Sequence, residues 1–407
     1  MSFVLRGSDE PKAKVSRTVG SVAEIGRANW DQIANPGWPP KDPLSAASDD
    51  ARAPYNPFLS FDFLDCLEQS GCASKATGWE PKHLVLESDG RLDAAMPLYL
   101  KSHSMGEFVF DHGWADAYAR AGGHYYPKLQ ASVPFTPATG SRLLSAAGPE
   151  ADANRRALAT AAIELARREN LSSAHITFMP KDEWDLCSGA GYLKRIDQQF
   201  HFVSPGYRDF DDFLDGLVSR KRKALKRERR EALADCSVAL LTGTDLTETV
   251  WDSFFDFYTD TSNRKWGRPY LNRRFFSMIG ERMPDRILLV IAEKNGQPIA
   301  GALNFIGSHT LYGRHWGATQ HQPFLHFELC YYQAIEWALA HDLPRVEAGA
   351  QGEHKLARGY VPTPTYSAHW ITDPRFRDAV EQYLAQETVQ VESDAADLAH
   401  HTPFRAT

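Results

Sequence analysis

Eight cations crowd the eleven residues 220–230: Arg220, Lys221, Arg222, Lys223, Lys226, Arg227, Arg229 and Arg230, relieved only by Glu228 and Glu231. Like charges three or four apart on a helix repel by a few tenths of a kcal/mol per pair, so solubility alone does not call for this pattern. It reads as an anion platform, suited to the phosphates of a nucleotide-bearing substrate or of transfer RNA. The competing reading is a solvated face paired with the upstream acids Asp209, Asp211, Asp212 and Asp215.

A second constellation lies near the end of the chain. His326 and Glu328 fall in the first turn of an expected helix over residues 325–341, where unpaired backbone N–H groups favour an anion. An inward-facing Glu328 is a candidate general base for an incoming amine, with His326 in reserve. Further on, Glu347, Gln351, Glu353, His354, Lys355 and Arg358 crowd around Gly349, Gly352 and Gly359. Glycines just after a strand let a ligand approach the backbone. Lys355 or Arg358 would neutralise a phosphate or a developing oxyanion, and the spacing leaves open which. Arg314, Trp316 and Tyr360 complete the candidate substrate contacts. A third cluster, Arg264, Lys265, Trp266 and Arg268, interleaves cations with an aromatic and suits stacking plus a phosphate contact.

Other chemistries leave no trace. There is no GxxxxGK[ST], no GxGxxG after a strand and no GxSxG. His112 and Asp116 are spaced as in some acyltransferases but lack the doubled His. The five cysteines contain no CxxC pair and the 15 histidines no HExxH, so no metal site is expected. A net charge of −7 confines any polyanion site to a local patch. No apolar run approaches the ~18 residues that span a bilayer, and the polar start lacks a secretory segment. The chain is therefore expected to be cytoplasmic.

These residues must be positioned by a repeated set of elements. HLVLE (83–87), a Ser88-Asp89-Gly90 turn and LDAAMPLYLKSH form one hairpin; residues 286–307, turning at Asn295-Gly296, form another. Each is followed by an aromatic strand (107–118; 310–318), a helix (150–169; 325–341), a short strand (174–179; 345–350), a compact segment ending in Gly-Tyr, and a last strand (199–203; 366–371). Two copies of one α/β unit are expected. Residues 209–234 read as one long helix between them. The expected divisions are a loose segment 1–57, a first domain 58–205, a second domain 206–390 that includes the basic helix, and a tail 391–407.

The two-copy order, the basic segment SRKRKALKRERR (219–230), the helix end Ala334–Ala338, the strand Arg345–Gly349 and Lys355-Leu356-Ala357-Arg358-Gly359-Tyr360 together resemble the Fem peptidoglycan aminoacyltransferases. Stretches such as AAMPLYLKSHS, VFDHGWADAY, YYPKLQASVPFTP, HFELCYYQAI and EAGAQGEHKLARGY are similar to a FemAB-like bacterial group, over residues 55–390. The resemblance implies two tandem domains of the GCN5-related N-acetyltransferase (GNAT) fold, each a mixed, largely antiparallel sheet flanked by helices. It implies transfer of an acyl or aminoacyl group to an amine without a covalent enzyme intermediate, with Lys355 the nearest match to the family's cation and Arg358 an alternative. No tightly bound cofactor is implied; aminoacyl-tRNA or acyl-CoA is a co-substrate. The acceptor would be a small molecule or cell-wall precursor, with tRNA touching Arg220, Lys221, Arg222, Lys223 and Arg227. Arg314-His315-Trp316-Gly317-Ala318-Thr319 departs from the acetyl-CoA-binding pattern, which favours aminoacyl-tRNA. Acyl-CoA-dependent N-acylation and a non-catalytic binding module stay as alternatives, and the oligomeric state is open.

Overall fold

Asp89-Gly90 and Asn295-Gly296 all take positive φ (50°, 75°, 53° and 71°), the left-handed pair that a two-residue hairpin turn requires. Both expected hairpins form around them. The computed structural model describes residues 14–38, 54–265, 267–349, 352–399 and 401–405. Trp266, Gln351 and most of the segments 1–14 and 35–57 that the sequence reads as loose or loop-like lie outside the described residues.

The first half contributes β1 (Val15–Val19), β2 (Trp79–Pro81), β3 (His83–Ser88), β4 (Arg91–Met96), β5 (Leu98–Lys101), β6 (Lys128–Ala131), β7 (Leu144–Ser145), β8 (Ser173–Met179) and β9 (Leu193–Val203). The second contributes β10 (Ser237–Leu241), β11 (Ile287–Lys294), β12 (Gln297–Ile306), β13 (Thr310–Ala318), β14 (Arg345–Glu347) and β15 (Val361–Ile371). Pro97 divides the expected strand after the first turn into β4 and β5, and these join different sheets. One sheet runs β1-β3-β4-β7; the other, of eleven strands, runs β10-β11-β12-β13-β14-β9-β15-β8-β6-β5-β2.

That order interlocks the halves. The last strand of the first half, β9, pairs with β14 and β15 of the second, while β15 returns to pair with β8 of the first. Each half repeats the parallel step, β6 with β8 and β13 with β14. The fold is thus two tandem GNAT-like units whose final strands complete each other's sheet.

Helices fill both faces. Ala151–Arg168 and the pieces spanning 325–340 sit where their apolar periodicity predicts, and Ser60 caps Phe61–Gln69 through the Phe63 amide at 3.3 Å. Three expectations need correction. Residues 107–118 are not a strand: His112–Arg120 is a helix that buries Trp114, the aromatic spacing being helical. His112 and Asp116 are exposed on it. Residues 209–234 are two helices, Phe210–Gly216 and Ser219–Ala232. They part because Leu217 bridges to Phe404 and the Val218 amide bonds to Pro403 O at 2.9 Å, contacts from the far end of the chain. Finally, the helix Pro374–Ala399 runs into the segment expected as a tail.

Candidate active site

The site is built where two parallel strands part. β13 and β14 pair over three positions, from Thr310↔Arg345 to Tyr312↔Glu347, and then diverge. On its other side β13 faces β12 with a shift: Asn304 lies opposite Gly313 and Leu303 opposite His315, so Arg314 is the extra residue of a bulge. Bulges bend a strand and re-aim a side chain. Gly313 packs closely here: a Cβ would lie 3.3 Å from Asn304 Oδ1 and 3.5 Å from Glu347 O. Beyond the fork lies a cavity of about 100 Å³ whose lining includes Asn304, Arg314, Trp316, His326, Tyr331 and Ala348. Asn304 Oδ1 is buried there without a hydrogen-bond partner among the described residues.

The expected helix 325–341 breaks at this cavity. It runs as Leu325–Phe327, a π-helical turn Glu328–Tyr332, and Gln333–Ala340; such turns recur at functional sites. Around it an aromatic wall forms. The Trp316 and His326 ring centroids are 5.2 Å apart, His326 and Tyr331 5.4 Å, and the Tyr331 hydroxyl is 3.0 Å from His354 Nε2. Tyr360 packs beneath Tyr331, fully buried, with its hydroxyl unpartnered among the described residues.

Lys355 comes from the 3₁₀ helix Glu353–Arg358. It is 1% exposed, and its Nζ donates to Gly349 O at 2.9 Å. Burial pulls its ammonium down to about 8, with Cys330 opposing and the charge of Arg314 adding to the effect. Arg314 itself donates to Phe135 O, a tie to the first half. The neighbouring Arg358 is committed elsewhere: Nη2 lies 2.9 Å from Glu228 Oε2, Nη1 2.7 Å from His354 O, and its guanidinium stacks 3.4 Å from the Phe327 ring centre.

Glu328, the expected base, is a buried anchor instead. Arg229 approaches both of its oxygens (2.9–3.2 Å) and Gln333 donates at 2.7 Å. Arg229 also pairs with Glu336 at 2.7 Å. Four donor contacts, three to Oε1 and one to Oε2, thus hold this fully buried carboxylate in place. These bonds clamp the basic helix over the π-turn. On that helix Arg222 pairs with Asp215 at 2.9 Å and Arg227 with Glu231 at 3.6 Å. Arg220, Lys221, Lys223 and Arg230 make no ion pair among the described residues, and Arg220, Lys223 and Arg230 are exposed.

Of the third cluster, Arg264 pairs with Asp260, donates to Ala318 O at 2.6 Å and helps line a 420 Å³ cavity that shares Trp316 and His326 with the fork. Arg268 is exposed. Lys265 ends the helix Glu248–Lys265, and Glu353 begins the 3₁₀ helix; Trp266 and Gln351 lie outside the described residues. Arg314, Trp316 and His326 thus line one cavity with Tyr331, on which His354 and the buried Tyr360 pack, and Lys355 is held nearby through Gly349 O. Among the described residues no group of His, Cys, Asp and Glu is arranged to hold a metal.

A family model for FemAB-like proteins, described as peptidoglycan biosynthesis/recognition, matches residues 21–406. The chain belongs to the FemAB-like family. No curated protein sequence matches it. Similar solved structures include FemX (11% identity, 76% of this chain and 92% of that one, TM-score 0.48). A tandem GNAT protein from the clavulanic acid biosynthesis pathway is 14% identical, covering 89% and 99%, with TM-score 0.46. L-PGS from Bacillus licheniformis is 8% identical, covering 78% and 95%, with TM-score 0.48. All are distant likenesses of shape.

In this FemAB-like chain the opposite side of the fork holds Glu347, for which the sequence suggests no role apart from the charged cluster around the glycines. Consecutive residues face different cavities: Ala348 the fork, and Glu347 a space of about 600 Å³ between the halves. Its walls include Asn56, Gly140, Arg155, Glu183, Tyr312 and Arg345. Glu347 is visible in the sequence as one acid in a charged loop. Its burial depends on His201 of β9 and on the 139–142 segment, some 150 to 200 residues away. No helix among the described residues is long and apolar enough to cross a membrane.

Proposed function

We propose that this FemAB-like protein transfers an acyl group to an amine at the fork between β13 and β14, with aminoacyl-tRNA the favoured donor and a cell-wall precursor a fitting acceptor. The observation that carries the reading is the fork itself. Two parallel strands whose facing edges cease to bond after Glu347 open a slot for an acyl chain, and a buried cation stands beside it.

Attack of an amine on the donor carbonyl makes a tetrahedral oxyanion. Lys355 has three donors and spends one on Gly349 O among the described residues. In a poorly solvated site its positive charge acts on the oxyanion far more strongly than in water. Trp316 and His326 offer flat faces for a base or an acyl chain, and Arg220, Lys221, Lys223 and Arg230 supply the charge that a phosphate backbone needs. Arg358, tied to Glu228, shapes the Lys355 loop.

The test is to incubate the purified protein with radiolabelled aminoacyl-tRNAs and, separately, acyl-CoAs, in the presence of an amine panel. The reading expects enzyme-dependent loss of the tRNA ester with label appearing in an amide. Thioester loss with intact aminoacyl-tRNA replaces the donor and keeps the reaction class. Survival of both donors refutes transfer.

A further inference from the structure

The transfer reading leaves two matters open: where the acceptor binds and what takes its proton. We infer that the 600 Å³ cavity on the far side of the fork binds an acceptor carrying both an amine and a carboxylate, and that Glu347 is the catalytic residue that receives the amine's proton. This deepens the proposed function and rests on it.

Four observations converge. Glu347 ends the paired part of β14, so its backbone borders the slot while its side chain lies in the cavity. It is 5% exposed, and Oε2 has no hydrogen-bond partner among the described residues. The other buried carboxylate in the wall, Glu183, is occupied by Ser141 and by the amides of Arg142 (2.8 Å) and Leu143 (3.1 Å). Lastly, the wall holds cations placed for an anion. Arg345 lies two residues before Glu347 on the same strand face, exposed and without an ion pair among the described residues. Arg155 pairs with Asp152 through Nη1 at 3.0 Å, while its buried Nε has no partner among the described residues.

The groups that face Glu347 are His201 from β9, with Nδ1 4.0 Å from Oε1 and unpartnered among the described residues; Arg345 from β14; Tyr312 and Arg314 from β13; and Arg142 with the Thr139 amide from the segment between β6 and β7. Burial raises the Glu347 carboxyl to about 7 against the pull of Arg345, the Thr139 amide, Arg314 and Arg142. A group so poised exchanges a proton near neutrality.

In the step itself the amine nitrogen forms a C–N bond to the donor carbonyl carbon and the donor's ester C–O bond breaks. The proton lost by nitrogen passes to the Glu347 carboxylate and, on collapse, a proton returns to the leaving oxygen. A thioester donor differs only in that sulfur leaves.

The experiment uses the full chain as wild type, E347Q and R345A, with diglycine and diglycinamide as probes and hydroxylamine as a nucleophile that is unprotonated at neutral pH. Wild type is expected to bind diglycine about tenfold more tightly than diglycinamide, a preference that R345A loses. E347Q is expected to transfer to diglycine at least about 100-fold more slowly, yet to hydroxylamine within about tenfold of wild type; a merely structural defect would slow both. Transfer by E347Q within about threefold of wild type overturns the role of Glu347. Equal binding of the two probes, or none, overturns the cavity's ligand class even where other amines are acylated. Preferential binding without transfer to any amine keeps the cavity's ligand class but overturns Glu347 as a catalytic residue, together with the transferase reading.

Discussion

At the scale of residues, Lys355 and Glu347 carry opposite requirements. Lys355 acts protonated and is pulled down to about 8 by burial; Glu347 acts deprotonated and is pushed up to about 7 by burial. Transfer should therefore rise with pH through about 7 as Glu347 loses its proton, and fall above about 8 as Lys355 loses its own. A narrow bell in kcat/KM is the expected profile. Single-turnover rates across pH check it: E347Q should abolish the acidic limb and K355M the alkaline one, and a flat profile in the wild type contradicts both assignments. Lys355, His326, His354 and Trp316 stand out in the sequence as candidates because their types are uncommon together near glycines. The clamping of Glu328 is not visible there. Its partner Arg229 lies 99 residues upstream, and nothing in the local spacing tells a free carboxylate from a clamped one. The converse holds for Glu347, whose functional character arises from burial by segments distant in the chain.

At the scale of elements, the basic helix has two faces with different work. Arg229 and Glu228 face inward and tie it to Glu328 and Arg358, whereas Arg220, Lys221 and Lys223 near its start make no ion pair among the described residues. Breaking the inward pair by removing one partner is costly, about 3–5 kcal/mol for a buried charge left alone. Reversing the outward charges is not. The triple variant R220E/K221E/K223E should raise KM for an aminoacyl-tRNA donor by about tenfold or more and flatten its salt dependence, while shifting Tm by only a few degrees. Kinetics at two salt concentrations and a thermal melt check this; unchanged KM removes tRNA from that face. The helix and its charge were readable from periodicity. Its break at Leu217–Val218 was not, because it is imposed by Pro403 and Phe404. The π-turn at Glu328–Tyr332 likewise leaves no mark on an apolar pattern that fits an unbroken helix equally well.

At the scale of the whole molecule, the repeat was legible and the exchange of strands was not. Hairpin turns, amphipathic helices and last strands all announce themselves locally. That β9 and β15 lie side by side, each serving the other half's sheet, depends on pairing across more than 150 residues. The interlock has a thermodynamic consequence. Residues 58–205 and 206–390 made separately should each lack a central strand and stay unfolded by circular dichroism, whereas the full chain unfolds in one cooperative transition; two independently folded pieces contradict the topology. The same interlock brings Arg314, tied to Phe135, and His201 to the fork, so that the site belongs to neither half alone. The most direct test of the central claim compares wild type and K355M in a single turnover with labelled aminoacyl-tRNA and a primary amine. The account predicts amide formation by wild type, a loss of at least about 100-fold in K355M, and a Tm for the variant no lower than that of wild type. Amide formation by K355M at the wild-type rate would contradict it.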